Sequence, residues 1–204
     1  ISRKDGGEFT GRFYEIETGS GEVLRYPSVT TILQAAPNKP GLIRWAASEE
    51  RTLVKEAAAD LYCDAPASPK MSKAAFVASL EKRLGATRAH AKILSKASEL
   101  GSSVHALIEW NVRKSLGQEQ GPAPEITPEG LHAFSAWERW RDEVELVPRL
   151  VEQVVWSRRY GYAGTTDLVG EFTHEGKRVQ AVIDWKSSKS LHPEMFLQLS
   201  AYMA

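Results

Sequence analysis

The chain has 204 residues, 42% hydrophobic and 25% charged, a balance ordinary for a globular protein long enough to bury its own core. Lys plus Arg and Asp plus Glu number 26 each, so the formal net charge is zero. That excludes a histone-like or polybasic coat, and any nucleic-acid partner has to be gripped by a restricted basic surface. Cys63 is the single cysteine, which excludes a disulfide framework, a four-cysteine zinc site and a cysteine-ligated iron–sulfur cluster within this sequence.

The opening, Glu8 to Tyr26, alternates apolar and polar residues around a Gly-Ser-Gly turn at Gly19 to Gly21 and reads as a β-hairpin arm. Ser28, after Pro27, is placed to cap a short helix running to Leu33, which Pro37 and Pro40 break. Helical composition resumes over 41–61, residues 64–71 form a loop, and helices follow over 72–84 and from Thr87 to about Leu116. In the last of these Ile93, Ala97, Leu100, Val104 and Leu107 recur at spacings of three and four, a buried stripe. A polar connector then leads to a helix start at Thr127-Pro128, with Ala133, Trp137, Trp140 and Val144 as its apolar face.

From Pro148 the texture becomes β-rich. Runs over 150–156, 162–172 and 177–185 are separated by turn residues, and a final helix begins near Pro193. The expected fold is therefore mixed α/β, a helical N-terminal half packed on a small, mainly antiparallel meander followed by a helix. Three regions are expected within one compact domain: an arm over 1–26, a helical region over 27–120, and a core over 121–204. Ile1 in place of Met, and an end inside an amphipathic segment at Ala204, lead us to expect further sequence beyond both ends. No apolar run approaches the roughly 18 residues that span a bilayer, so no membrane partner is expected.

The informative segment runs from Gly164-Thr-Thr-Asp167 to Asp184-Trp-Lys186. A two-residue turn at Glu175-Gly176 makes facing residue numbers sum to 351, which sets Asp167 opposite Asp184. Facing residues share a sheet face, with Cβ atoms about 4.5–5.5 Å apart. Lys186, two positions on, points to the same face. Two such carboxylates repel as bare anions, and one protonates unless a cation sits between them. Mg²⁺ or Mn²⁺ suits hard oxygen ligands. Such an ion activates water against a phosphodiester, and a lysine beside it neutralises charge in the transition state. The plainer alternative is a solvated hairpin face with weak salt bridges.

His105 lies at the edge of the apolar stripe in Gly101-Ser-Ser-Val-His105-Ala-Leu-Ile-Glu109, with Gly101 leaving space one turn earlier. Its imidazole can complete a metal site or sit half-buried at the core edge. Glu109 either orients the ring or makes a plain i,i+4 contact. Gln198 and Tyr202 share a face of the last helix, one turn apart. An amide and a phenol there can hold a base, a phosphate or the lysine, or merely mark the boundary of an amphipathic helix.

Together these segments resemble the RecB-like branch of the PD-(D/E)XK nuclease superfamily, most closely the group of the mitochondrial genome maintenance exonuclease and its phage and bacterial relatives. The resemblance runs through Tyr26-Pro-Ser-Val-Thr-Thr-Ile-Leu33, Gly101 to Glu109, Tyr162-Ala-Gly-Thr-Thr-Asp167, Val182-Ile-Asp-Trp-Lys-Ser-Ser188 and Gln198-x-x-x-Tyr202. It implies a restriction-endonuclease-like fold and a Mg²⁺- or Mn²⁺-dependent DNA exonuclease holding one or two ions. By that resemblance His105, Asp167, Asp184 and the Trp185 carbonyl bind metal, Lys186 is the catalytic lysine, and Gln198 and Tyr202 support the site and the DNA. Glu152 matches an acidic position upstream and faces Asp167 if the Arg159-Tyr160 turn is tight.

The resemblance also implies single-stranded DNA ends as substrate and replication or recombination proteins as partners; several RecB-like relatives carry a four-cysteine iron–sulfur cluster, which Cys63 alone cannot supply, so no cluster is expected here. The location it implies is the cytoplasm of a bacterial or phage-infected cell, or an organellar matrix. Candidate DNA contacts are Lys39, Arg44, Arg83, Arg88, Lys92, Lys96, Arg158 and Arg159, with Tyr26, Trp45 and Tyr160 as stacking platforms. The rivals are a structure-specific endonuclease and a nuclease-like DNA-binding module that has lost catalysis.

Overall fold

A computed structural model describes residues 2–5, 11–35, 40–64, 72–86, 88–118, 120–188 and 190–204. In chain order they form β1 (Ser2–Asp5), β2 (Arg12–Glu17), β3 (Val23–Pro27), α1 (Val29–Ala35), α2 (Pro40–Asp64), α3 (Lys73–Leu84), α4 (Ala89–Ser115), α5 (Pro128–Glu143), β4 (Val147–Ser157), β5 (Tyr162–His174), β6 (Lys177–Ile183) and α6 (Pro193–Met203). The mixed α/β class holds: two three-stranded antiparallel sheets, β1-β2-β3 and β4-β5-β6, accompany the helices. No helix among the described residues is long and apolar enough to cross a membrane.

Helix starts are set by side-chain oxygens that satisfy backbone N–H groups left over in the first turn. Ser28 Oγ accepts from the Thr31 N–H at 3.0 Å, Ser72 Oγ from Ala75 at 3.2 Å and Thr127 Oγ1 from Gly130 at 3.2 Å. Three strand boundaries differ from the pattern-based expectation. β1 adds a third strand to the arm, β4 begins at Val147, and β6 stops at Ile183, two residues early. The expected start of the arm at Glu8, the helix start at Thr87 and the candidate contact Lys39 lie outside the described residues.

The chain divides into two compact units, 38–99 and a second made of 1–37 with 100–204. The helical region read as one block over 27–120 is thus shared between them. In the 38–99 unit α2 and α3 pack together, Arg83 reaches Asp60 at 3.6 Å and His90 Nδ1 meets Glu50 Oε1 at 2.9 Å. This unit holds 11 Lys and Arg against 7 Asp and Glu, a net charge of +4, so the remainder of the neutral chain carries −4.

In the larger unit one face of β4-β5-β6, contributing Val151, Leu168 and Ile183, packs on Val104, Leu107, Ile108 and Val112 of α4 and on Phe134 and Trp137 of α5. Leu168 is wholly buried, and truncating such a residue to Ala costs about 2–5 kcal/mol. A second cluster joins Tyr14 and Ile16 of β2 to Ala163 of β5. The β5–β6 register follows the predicted sum, from His174↔Lys177 to Leu168↔Ile183. Glu175 and Gly176, with φ of 48° and 72°, form the left-handed two-residue turn that fixes it. The ladder to β6 covers only 168–174 of β5; near its start β5 is met instead by Ser28, in a parallel bridge to Ala163.

Candidate active site

Asp167 and Asp184 occupy the position just past Leu168↔Ile183, the last pair of the β5–β6 ladder. There the chain leaves β6, and the Trp185 N–H donates to Asp167 Oδ2 at 2.7 Å. Burial first, and the charge of Asp184 second, hold the Asp167 carboxyl above its ordinary value. The Trp185 N–H, His105 and Lys186 pull the other way. The acids are therefore electrostatic neighbours, although the ladder stops one pair short of setting them directly opposite each other.

The Asp184 side chain is 5% exposed and both of its oxygens are engaged. Lys186 Nζ pairs with Oδ2, and Gln198 Nε2 donates to Oδ1 at 3.0 Å. Gln198 Nε2 also lies 3.0 Å from the Tyr202 hydroxyl, so the one-turn spacing on α6 delivers amide and phenol to a single point. Burial drives the Tyr202 phenol up to about 12. α6 is tied to β5 where the Tyr162 hydroxyl donates to the Ala201 carbonyl at 2.7 Å.

His105, from α4, brings Nδ1 to 3.6 Å from Asp167 Oδ2. Glu109 is turned to Arg113, which donates to it from Nε at 2.7 Å; of the two alternatives for Glu109 the structure has the plain i,i+4 contact. Glu152 is flanked by the pairs Val151↔Leu168 and Gln153↔Thr166, which set it across from Asp167 in register. Its backbone is left-handed there, at φ 50°, and its side chain is exposed. Arg159 lies in the β4–β5 turn with its guanidinium over the Tyr160 ring, and Arg158 pairs with Glu22 at 2.9 Å. The structure thus brings His105, Asp167, Asp184, Trp185, Lys186, Gln198 and Tyr202 together, while Glu109 and Arg159 are engaged elsewhere.

Two glycines make room for this assembly. A Cβ on Gly101 would lie 2.8 Å from Ser187 Oγ, and one on Gly164 would run into the Tyr202 ring. Beside the acids is a cavity of about 380 Å³ whose walls include Trp137, Trp140 and Trp185. Trp185 stands edge-on to the other two, with ring centroids 6.0 and 5.7 Å away. Sequence reasoning placed Trp137 and Trp140 in a core stripe. The signal that marks them out is two indoles three residues apart on the face that turns toward Asp-Trp-Lys.

The two carboxylates suit Mg²⁺ or Mn²⁺ by donor chemistry, whereas the His105 imidazole suits a borderline ion such as Zn²⁺ better. Burial first, and repulsion from Asp184 second, raise the Asp167 carboxyl, and a cation between the acids would relieve that repulsion. Among the described residues no three His, Cys, Asp or Glu side chains form a group ready to hold a metal ion. Lys186 and Gln198 take the Asp184 oxygens instead. No protein-family model and no curated protein matches the chain.

Proposed function

We propose that the protein is a Mg²⁺- or Mn²⁺-dependent deoxyribonuclease of the RecB-like PD-(D/E)XK kind, acting at single-stranded DNA ends, with β4-β5-β6, α4, α5 and α6 as a restriction-endonuclease-like core. The observation that carries this reading is the meeting of Asp167, Asp184 and Lys186 where the β5–β6 ladder ends. Asp167, Asp184, His105 and the Trp185 carbonyl are the groups that would hold the ion. When bound, it supplies a water of strongly lowered pKa and polarises a phosphoryl oxygen. Lys186 then offers its ammonium to the negative charge that develops on the phosphate, while Gln198 keeps Asp184 oriented. The net charge of +4 on residues 38–99 supports a phosphate-bearing partner, and replication or recombination proteins are the proposed company.

One observation favours a second reading, a nuclease-like DNA-binding module: Lys186 closes on Asp184 and no three-ligand group stands ready among the described residues. Labelled oligonucleotides with Mg²⁺ or Mn²⁺ separate the two. Hydrolysis of linear single strands, lost on chelation and in Asp184→Ala, is the expected result. Binding without cleavage supports the module, and cutting of circular single strands supports an endonuclease.

A further inference from the structure

We infer that the cavity beside Asp184 is a base pocket, which takes the unstacked nucleobase of the nucleotide whose phosphate is cut. This rests on the nuclease reading and deepens it, because a pocket for one base makes unpaired strand the substrate. Three observations lead to it. The cavity is lined both by the charged or polar side chains of His105, Asp184 and Lys186 and by the indoles of Trp137, Trp140 and Trp185. An occupant that reaches both sets offers an anionic oxygen to Lys186 and a flat ring to the indoles, as a nucleotide does.

At about 380 Å³ the volume lies near the small end of small-molecule sites, room for one nucleoside and too little for a base pair. Indole faces stack on any base, so the pocket is tolerant of sequence. Last, Trp137 is 6% exposed, so the wall it forms is fixed by the core behind it. The cation–π contact of Arg141 with Trp137, 5.2 Å from ring centroid, braces that indole in place.

The test uses the full chain in two arms. In the first, with EDTA present, a deoxynucleoside monophosphate is expected to quench tryptophan fluorescence saturably, and 2-deoxyribose 5-phosphate is not. Trp140→Leu weakens the nucleotide about tenfold or more, while Trp140→Phe, which keeps a stacking face, retains most of the affinity. In the second, with Mn²⁺, a single strand bearing an abasic residue at the cut nucleotide shows KM raised about tenfold or more, and blunt duplex is cut far more slowly than single strand.

Equal quenching by the base-free sugar phosphate, or equal cleavage of intact, abasic and duplex DNA, overturns the base pocket and leaves hydrolysis standing. Quenching that depends on Trp140 without cleavage of any substrate upholds the pocket and overturns the nuclease reading.

Discussion

The Asp167 carboxylate accepts the Trp185 backbone N–H at 2.7 Å, so a side chain of β5 replaces the ladder hydrogen bond that β6 stops supplying after Ile183. Asp167 is nevertheless held above its ordinary 3.8 by burial and by Asp184. A raised folded-state pKa means that the folded protein binds more protons than the unfolded chain. Its stability contribution is most favourable below 3.8 and is lost as pH rises through the raised value. Asp167→Asn keeps an oxygen for Trp185 and removes the charge. In EDTA at pH 7 it is expected to melt a few degrees above wild type, the gap closing as pH falls toward 3.8, and with Mn²⁺ supplied instead of EDTA it shows no cleavage at any pH. Melting curves from pH 3.5 to 8 check this; a lower Tm than wild type at pH 7 contradicts it.

Lys186 is the cation on an almost buried carboxylate. Removing one partner of such a pair strands the other, at 3–5 kcal/mol when both are fully buried; Lys186 is 28% exposed, which brings the expected loss to about 2 kcal/mol. Lys186→Ala is therefore expected to lose cleavage by about 10²-fold or more and to melt roughly 4–8 °C lower. The double variant Lys186→Met with Asp184→Asn recovers the stability and none of the activity. Single-turnover rates and calorimetry on wild type and these two variants separate chemistry from folding.

Gly164 has no room for a methyl group because the Tyr202 ring lies against it, with Cζ and the hydroxyl oxygen 3.0 Å from the place of a Cβ. The ring is pinned in turn by Gln198. Gly164→Ala is expected to cost about 1–3 kcal/mol by overpacking. Adding Tyr202→Ala removes the clash, so the double variant loses less than the sum of the two single losses. Additive losses in a thermal-shift cycle refute the contact.

Tyr202, driven up to about 12 by burial, keeps its proton well above the ordinary phenol value of 10.0. Between those values the folded state binds the extra proton, so this part of the stability is intact below pH 10 and lost as pH climbs to 12. Tyr202→Phe gives up the Gln198 hydrogen bond, about 1 kcal/mol at neutral pH, yet declines less steeply above pH 10. Ultraviolet titration should show one phenolate step at about 12 that is missing from Tyr202→Phe.

Local chemistry explains what was legible in the sequence. Glu175-Gly176 fixed the β5–β6 register because a two-residue left-handed turn admits one pairing, and from it the proximity of Asp167 to Asp184 followed. Ser28 and Thr127 announced helix starts because their hydroxyls can reach a backbone N–H three residues on. The partner of Glu109 was not legible, since Arg113 and His105 are both one turn away and only packing decides between them. Nor was the early end of β6: strand composition continues through Trp185, while the Asp167 carboxylate draws the Trp185 amide out of the ladder. The aromatic cavity escaped for a related reason, because an indole that lines a hole and one that fills a core have the same periodicity.

The short bridge from Ser28 to Ala163 has a consequence for engineering. β5 runs on beyond the end of β6 with backbone groups that seek another chain, and the segment joining β3 to α1 covers part of that flank. Cutting the protein back past Ser28 would bare a strand margin next to the acids, an invitation to intermolecular pairing and aggregation. Trimmed versions meant for crystallisation or screening should therefore keep the arm.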